Sequence, residues 1–279
     1  MAKRRWLYFG FVVGLCLMGA VVSHAQQQPI LPSLGLDGEG PNPDDVSTTL
    51  QLLFGLTVLS LLPSILVMTT SFIRISIVLG FVRRAIGTQQ TPSNEIMIGL
   101  TLFLTLFIMT PVIDEIYSTA IQPYLNEEME PLLPGEIDPF GEVVETKVPR
   151  FYVMIYKAII PLRTFMWQQI GEGGASDVAV MMSIAGMNKP EDEHDVPTHV
   201  LIPAFMISEI KKAFMMGFMI FIPFLILDLV TASVLISMGM FQLPPAFISL
   251  PFKVLLFVLV DGWSILMRSL SISFVQNMQ

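Results

Sequence analysis

The chain has 279 residues, 53% hydrophobic and 14% charged, with a formal net charge of −8. A soluble domain carries about 25% charged residues, so there is too little polar side chain here to coat a water-facing surface, and a soluble single-domain enzyme is excluded. The acidic balance excludes a nucleic-acid binder held by a basic patch, and 20 dispersed Pro with 19 dispersed Gly exclude collagen-like or low-complexity architectures.

In chain order, Lys3, Arg4 and Arg5 precede an apolar run over residues 6–22, and Ser23-His24-Ala25 puts small residues at cleavage positions. This pattern predicts a signal peptide over 1–25, cut after Ala25; the competing reading is an uncleaved first membrane helix. Cys16, the single cysteine, lies in this stretch, and Leu15 before it speaks against lipid attachment. Cleavage would remove disulfides, thiol catalysis and Cys-based metal sites together. Residues 26–47, rich in Gln, Pro, Gly and Asp, read as a flexible periplasmic leader.

Residues 48–113 read as a first apolar helical hairpin. Residues 46–73 carry no charge and suffice to cross about 30 Å of hydrocarbon. Pro63 falls inside this run, where Ser60, Ser64, Thr69, Thr70 and Ser71 would satisfy backbone groups freed by a kink. Arg74, Arg83 and Arg84 follow, then a turn over 87–92 and a second charge-free run over 96–113. The positive-inside rule places this arginine loop in the cytoplasm. Residues 114–200 form an acidic periplasmic segment, with a helix over 151–170 on either side of Pro161 and loops over 171–174 and 187–197.

Residues 201–279 form a second apolar hairpin. Its first arm, over 203–238, would be about 50 Å long, far beyond the bilayer core. Either Pro223 kinks it or part of it is covered by protein. Between 213 and 267 the charges are Asp228, Lys253 and Asp261. A charge at the bilayer centre costs about 2.5–3.5 kcal/mol, so such groups pair or face a polar cavity. Glu209 near the start of the first arm and Lys253 near the start of the second fall at opposite ends of one hairpin. A pair between them is therefore easier to make between subunits, and the blander alternative is that each marks a membrane boundary. Asp228 and Asp261 on neighbouring helices suggest a shared proton, but Asp261 lacks the glycine two residues earlier that an intramembrane aspartyl protease carries. His194 and His199 sit in an acidic loop that reads as solvated, not metal-binding. Met206, Met215, Met216, Met219, Met238 and Met240 fall in or beside the hairpin. Core filling accounts for most of them; Met240 and Phe241 differ by sitting at the bend, where side chains of a ring-like assembly converge on an axis.

Three long stretches carry a family likeness. They are Pro203-Ala204-Phe205-Met206-Ile207-Ser208-Glu209-Ile210, Ile222-Pro223-Phe224-Leu225-Ile226-Leu227-Asp228-Leu229-Val230, and Leu250-Pro251-Phe252-Lys253 followed by Val260-Asp261-Gly262-Trp263. Upstream, Ser71-Phe72-Ile73-Arg74 and Pro161-Leu162-Arg163 extend it. The chain resembles the FliP family of flagellar export proteins and its injectisome relatives over residues 48–275. The resemblance implies an all-α, polytopic helical membrane protein with two long helical hairpins and an acidic periplasmic helical segment, assembling into a helical export-gate ring. It implies a non-enzymatic, cofactor-free and metal-free pore subunit at the flagellar basal body in the inner membrane. Further copies of itself, FliQ and FliR would build the gate, FlhA and FlhB would adjoin it, and unfolded axial flagellar proteins would pass through. It further implies an inter-subunit Glu209–Lys253 pair and a methionine gasket at the bend, of which Met240-Phe241-Gln242 keeps the first position only; Met215 stands where the family often has a polar residue. The rival class is a small-solute or proton transporter using Asp228 and Asp261.

Overall fold

The computed structural model describes residues 43–88, 92–136, 138, 143–188, 190, 195–240 and 242–275. These are overwhelmingly helical. α1 is Pro43–Thr69, α2 Phe72–Ile86, α3 Asn94–Ile116, α4 Arg150–Ile170, α5 Ala175–Ile184, α6 Thr198–Ser237, α7 Pro245–Leu259 and α8 Gly262–Val275. Among the described residues no strand forms, so the protein is a polytopic helical membrane protein, with α3 and α6 each long and apolar enough to cross a bilayer. Among the described residues, those up to Ser60 and those from Leu61 belong to separate units. Within α1, Pro63 is carried without a break, and Thr57 and Ser60 return their hydroxyls to carbonyls of their own helix.

The core grows from α2. Ile75, Val78, Leu79, Val82 and Ile86 recur at three- and four-residue spacing, all buried, and this stripe lies along α6. α6 answers with Leu201, Ala204, Phe205, Ser208, Glu209, Ala213 and Gly217. The helices approach closely because Gly217 has no side chain: a Cβ there would stand 2.4 Å from Phe81 Cδ2. α4 and α5 cover the first half of α6, and α7 returns along its second half.

Five features differ from the sequence expectations. The apolar run over 46–73 is broken after Thr69, and the arginines read as a loop lie in helix α2. α4 is one helix, with Pro161 in its interior. α6 runs 40 residues, about 60 Å, through Pro203 and Pro223 without a break. The second arm of that hairpin is two helices, α7 and α8, bent by 62° at Val260-Asp261. Part of the acidic segment is an extended arm, not helix: Leu132 and Val148 exchange backbone hydrogen bonds of 3.2 and 2.9 Å, and Gly135 and Glu136 bond Val144. α3 itself continues past Ile116 through a π-helical turn, Tyr117–Ile121, to a last turn Gln122–Leu125.

Candidate functional site

Arg74 lies in the first turn of α2, on the same buried stripe as Ile75 and Val78, which forces its guanidinium into the core at 1% exposure. Its five N–H donors are all used. Nε donates to Glu209 Oε2 at 2.8 Å and Nη2 to Glu209 Oε1, a bidentate clasp. Nη2 also donates to Gln169 Oε1 at 3.1 Å, and Nη1 reaches Ser273 Oγ at 3.1 Å and its carbonyl at 3.3 Å. The guanidinium carbon stands 3.9 Å from the centroid of the Phe274 ring, and Gln169 Nε2 donates to the Phe274 carbonyl at 3.1 Å. One buried centre thus joins α2, α4, α6 and α8. Beside it, Lys212 donates to the carbonyls of Gln169 and Ile170 at the end of α4, where the helix dipole favours a cation. Lys211 pairs with Asp177 of α5, and Arg163 binds the Val196 carbonyl at 2.7 Å and Thr198 Oγ1 at 2.6 Å, pinning α4 to the start of α6.

A second centre ties α6 to α7. Asp228 accepts from Ser249 Oγ and from Lys253 Nζ, both at 2.6 Å. Lys253 is buried and its ammonium lies beside Gly87, the left-handed cap that closes α2 at φ 80°. A cation at that helix C-terminus meets the negative end of its dipole. Arg74 and Gly87 are 13 residues apart on α2, about 20 Å, so Glu209 and Lys253 are held at opposite ends of one helix. Within the chain each has its own partner: Arg74 for Glu209 and Asp228 for Lys253.

The bend after α6 is a backbone device. Gly239, at φ 76°, donates to Ile236 and Met240 donates to Leu235 at 3.0 Å each, the paired bonds of a Schellman cap. Met238 and Met240 are exposed. Phe241 lies outside the described residues, as do Ala25 and His194. Asp261 is exposed and takes the left-handed position at the α7–α8 break, φ 52°, donating its N–H to Val258 at 3.1 Å. Asp228 accepts one hydrogen bond at each carboxylate oxygen, and no hydrogen bond joins it to Asp261 among the described residues.

Sequence reasoning missed Arg74, Gln169 and Ser249 as partners. By sequence Arg74 reads with Arg83 and Arg84 as part of a loop; its distance of nine residues from Arg83, inside apolar sequence, is the signal that marks it as a paired core residue. Gln169 and Ser249 carry no such signal, because uncharged polar residues are common in apolar helices.

Residues 55–270 match the model of the FliP family. The chain is similar to the flagellar biosynthetic protein FliP of Borreliella burgdorferi, 44% identical over 244 residues, which covers 88% of this chain and 87% of that one. It is also similar to the flagellar biosynthetic protein FliP of Bacillus subtilis, 47% identical over 233 residues, covering 84% of this chain and 95% of that protein. The Caulobacter vibrioides protein of the same name is 47% identical over 224 residues, covering 80% and 76%.

Proposed function

This chain belongs to the FliP family, and we propose on that premise that it is a non-enzymatic, pore-forming subunit of the flagellar protein export gate. It resides in the bacterial inner membrane with a large periplasmic portion. Several copies join FliQ and FliR, next to FlhA and FlhB, to conduct unfolded axial flagellar proteins outward. The observations that carry this reading are the match of residues 55–270 to the FliP family model and the 44–47% identity, over most of the chain, to proteins named for flagellar biosynthesis. The exposed apolar surface of α6 supports it: Phe214, Met215, Phe218, Met219 and Leu229 lie open along a helix twice as long as a bilayer core is thick. Such a surface needs lipid or neighbouring subunits.

The finer assignments belong to the same proposal. The signal peptide is cut after Ala25, so the mature chain begins at Gln26; N-terminal sequencing that returned Met1 would discard this. Met240 and Phe241 form the seal at the bend. Glu209 and Lys253 meet between neighbouring subunits. Lys253 has donors left beyond Asp228, but Glu209 is fully buried, so the neighbour's ammonium reaches it only if the chain opens around Arg74. Asp228 and Asp261 hold structural roles, in the α6–α7 clasp and at the α7–α8 break. The test is deletion and complementation: removing this gene should abolish both swimming and release of filament and hook proteins into the medium, and the full chain should restore both. Continued export without it overturns the reading. A transporter using Asp228 and Asp261 would instead leave export intact and lose ion or solute flux.

A further inference from the structure

α3 and α8 leave a groove of about 440 Å³ between them, open on its outer side. Its α3 wall is Leu100, Phe103, Leu104 and Phe107; its α8 wall is Met267 and Arg268, with Ser271 one turn beyond. Phe103 and Phe107 are 66% and 65% exposed, on a helix long and apolar enough to span a bilayer. Arg268 is exposed at this apolar wall, and among the described residues it makes no hydrogen bond, ion pair or ring contact. Every other arginine of the described helices is engaged: Arg74 with Glu209, Arg83 with Asn94, Arg84 over Phe81, Arg150 over Tyr124 and Arg163 with Thr198. The acid closest to Arg268 in sequence, Asp261, forms no pair with it.

We propose that this groove holds one acyl chain of an anionic phospholipid whose phosphate is gripped by Arg268. Two features favour that occupant. The wall is apolar and aromatic for about two turns of α3, which suits a hydrocarbon chain lying along the helix and offers nothing to a polar ligand. At its α8 side stands one unneutralised guanidinium, which in a low-dielectric surrounding demands an anion and matches two phosphate oxygens with parallel N–H donors. Ser271, on the same face three residues on, supplies a further hydroxyl to the headgroup. The lipid would act as a permanent wedge between the span that begins the acidic segment and the last helix of the chain. This goes beyond the export reading and holds whatever the gate conducts.

The test uses the full-length protein, extracted from its own membrane and reconstituted with equal amounts of phosphatidylglycerol and phosphatidylcholine, with retained lipid counted by native mass spectrometry. Wild type should retain phosphatidylglycerol in about tenfold preference, equivalent to about 1.4 kcal/mol. Arg268→Gln should bring the ratio close to one, Arg268→Lys should keep part of the preference, and Phe103→Ala with Phe107→Ala should reduce retention of both lipids. A ratio unchanged in Arg268→Gln, or displacement of the lipid by inorganic phosphate alone, overturns the proposal. So does a photo-crosslinking residue at position 103 that captures polypeptide in place of lipid in intact cells, because a protein partner would then fill the groove.

Discussion

Arg74 and Glu209 are both sealed from solvent, and a buried ion pair behaves asymmetrically under mutation. Removing one partner strands the other charge, which costs about 3–5 kcal/mol, whereas replacing both with apolar residues of similar volume is often close to neutral. Arg74→Leu should therefore lower the thermal midpoint of the detergent-solubilised chain well below that of the double variant Arg74→Leu with Glu209→Met. A double variant no more stable than the single one would mean that the Gln169 and Ser273 contacts, not Glu209, dominate the centre. The same geometry changes how pairing between subunits should be tested. Exchanging Glu209→Lys with Lys253→Glu sets a lysine against Arg74 and a glutamate against Asp228 inside each chain. The exchanged protein should assemble less well than Lys253→Ala alone, as judged by ring yield on native gels; recovery above Lys253→Ala would show that the contact between subunits outweighs both contacts within the chain. From the sequence, Glu209, Asp228 and Lys253 stood out because charge is costly in apolar surroundings. Which charges meet was not legible, since a partner 135 residues away is brought in by helix packing alone.

At the scale of helices, length and periodicity carried most of the fold. The excessive length of α6 and the turn at Gly239 follow from residue pattern, whereas the stripe of α2 lies in residues that read as an arginine loop. The α7–α8 break did not, because no proline or glycine precedes it: Asp261 itself adopts the left-handed conformation, and Gly262 then fits beneath Phe257, where a Cβ would stand 2.4 Å from the ring. Proline was misleading in the opposite direction, since Pro161, Pro203 and Pro223 all lie inside continuous helices. Neighbouring helices and local adjustment satisfy the freed carbonyls in apolar bundles. The contact between α2 and α6 can be probed through its closest point. Gly217→Ala gains about 1 kcal/mol of helix propensity, but its methyl group meets Phe81 Cδ2, Cγ and Cβ at 2.4, 2.5 and 3.0 Å. Overpacking of that kind costs about 1–3 kcal/mol, and Phe81 has little room to yield because it also stacks edge-on against Phe214 at 5.3 Å. Gly217→Ala should lower the thermal midpoint, and adding Phe81→Ala should recover part of the loss. If Gly217→Ala is as stable as wild type, the two helices are not in fixed register there.

For the molecule as a whole, the two charged centres and the open apolar face of α6 divide the labour. Paired charges hold the helices of one chain in register, and the surface left over is apolar and available to lipid or neighbours. The proposed conduit for unfolded chains would need a seal that yields, and flexible apolar side chains on a firm backbone meet that need better than a rigid ring. The bend supplies such a backbone. Its hydrogen bonds run from the Gly239 and Met240 amides to Ile236 and Leu235, so the turn does not depend on which side chain stands at 240. It does depend on glycine at 239, whose φ of 76° is strained for any β-branched residue. Two variants therefore separate sealing from folding. Met240→Ala with Phe241→Ala should keep the turn, the ring and the membrane level of the protein, yet raise leakage of small ions or dyes across the inner membrane. Gly239→Val should disturb the turn itself and reduce ring yield before any leak can be measured. Conductance of the purified complex in planar bilayers reads the first effect and native gels read the second. If the assembled Met240–Phe241 variant holds ions back as tightly as wild type, the seal is not at the bend, and the exposed Met215 and Met219 of α6 become the side chains to replace next.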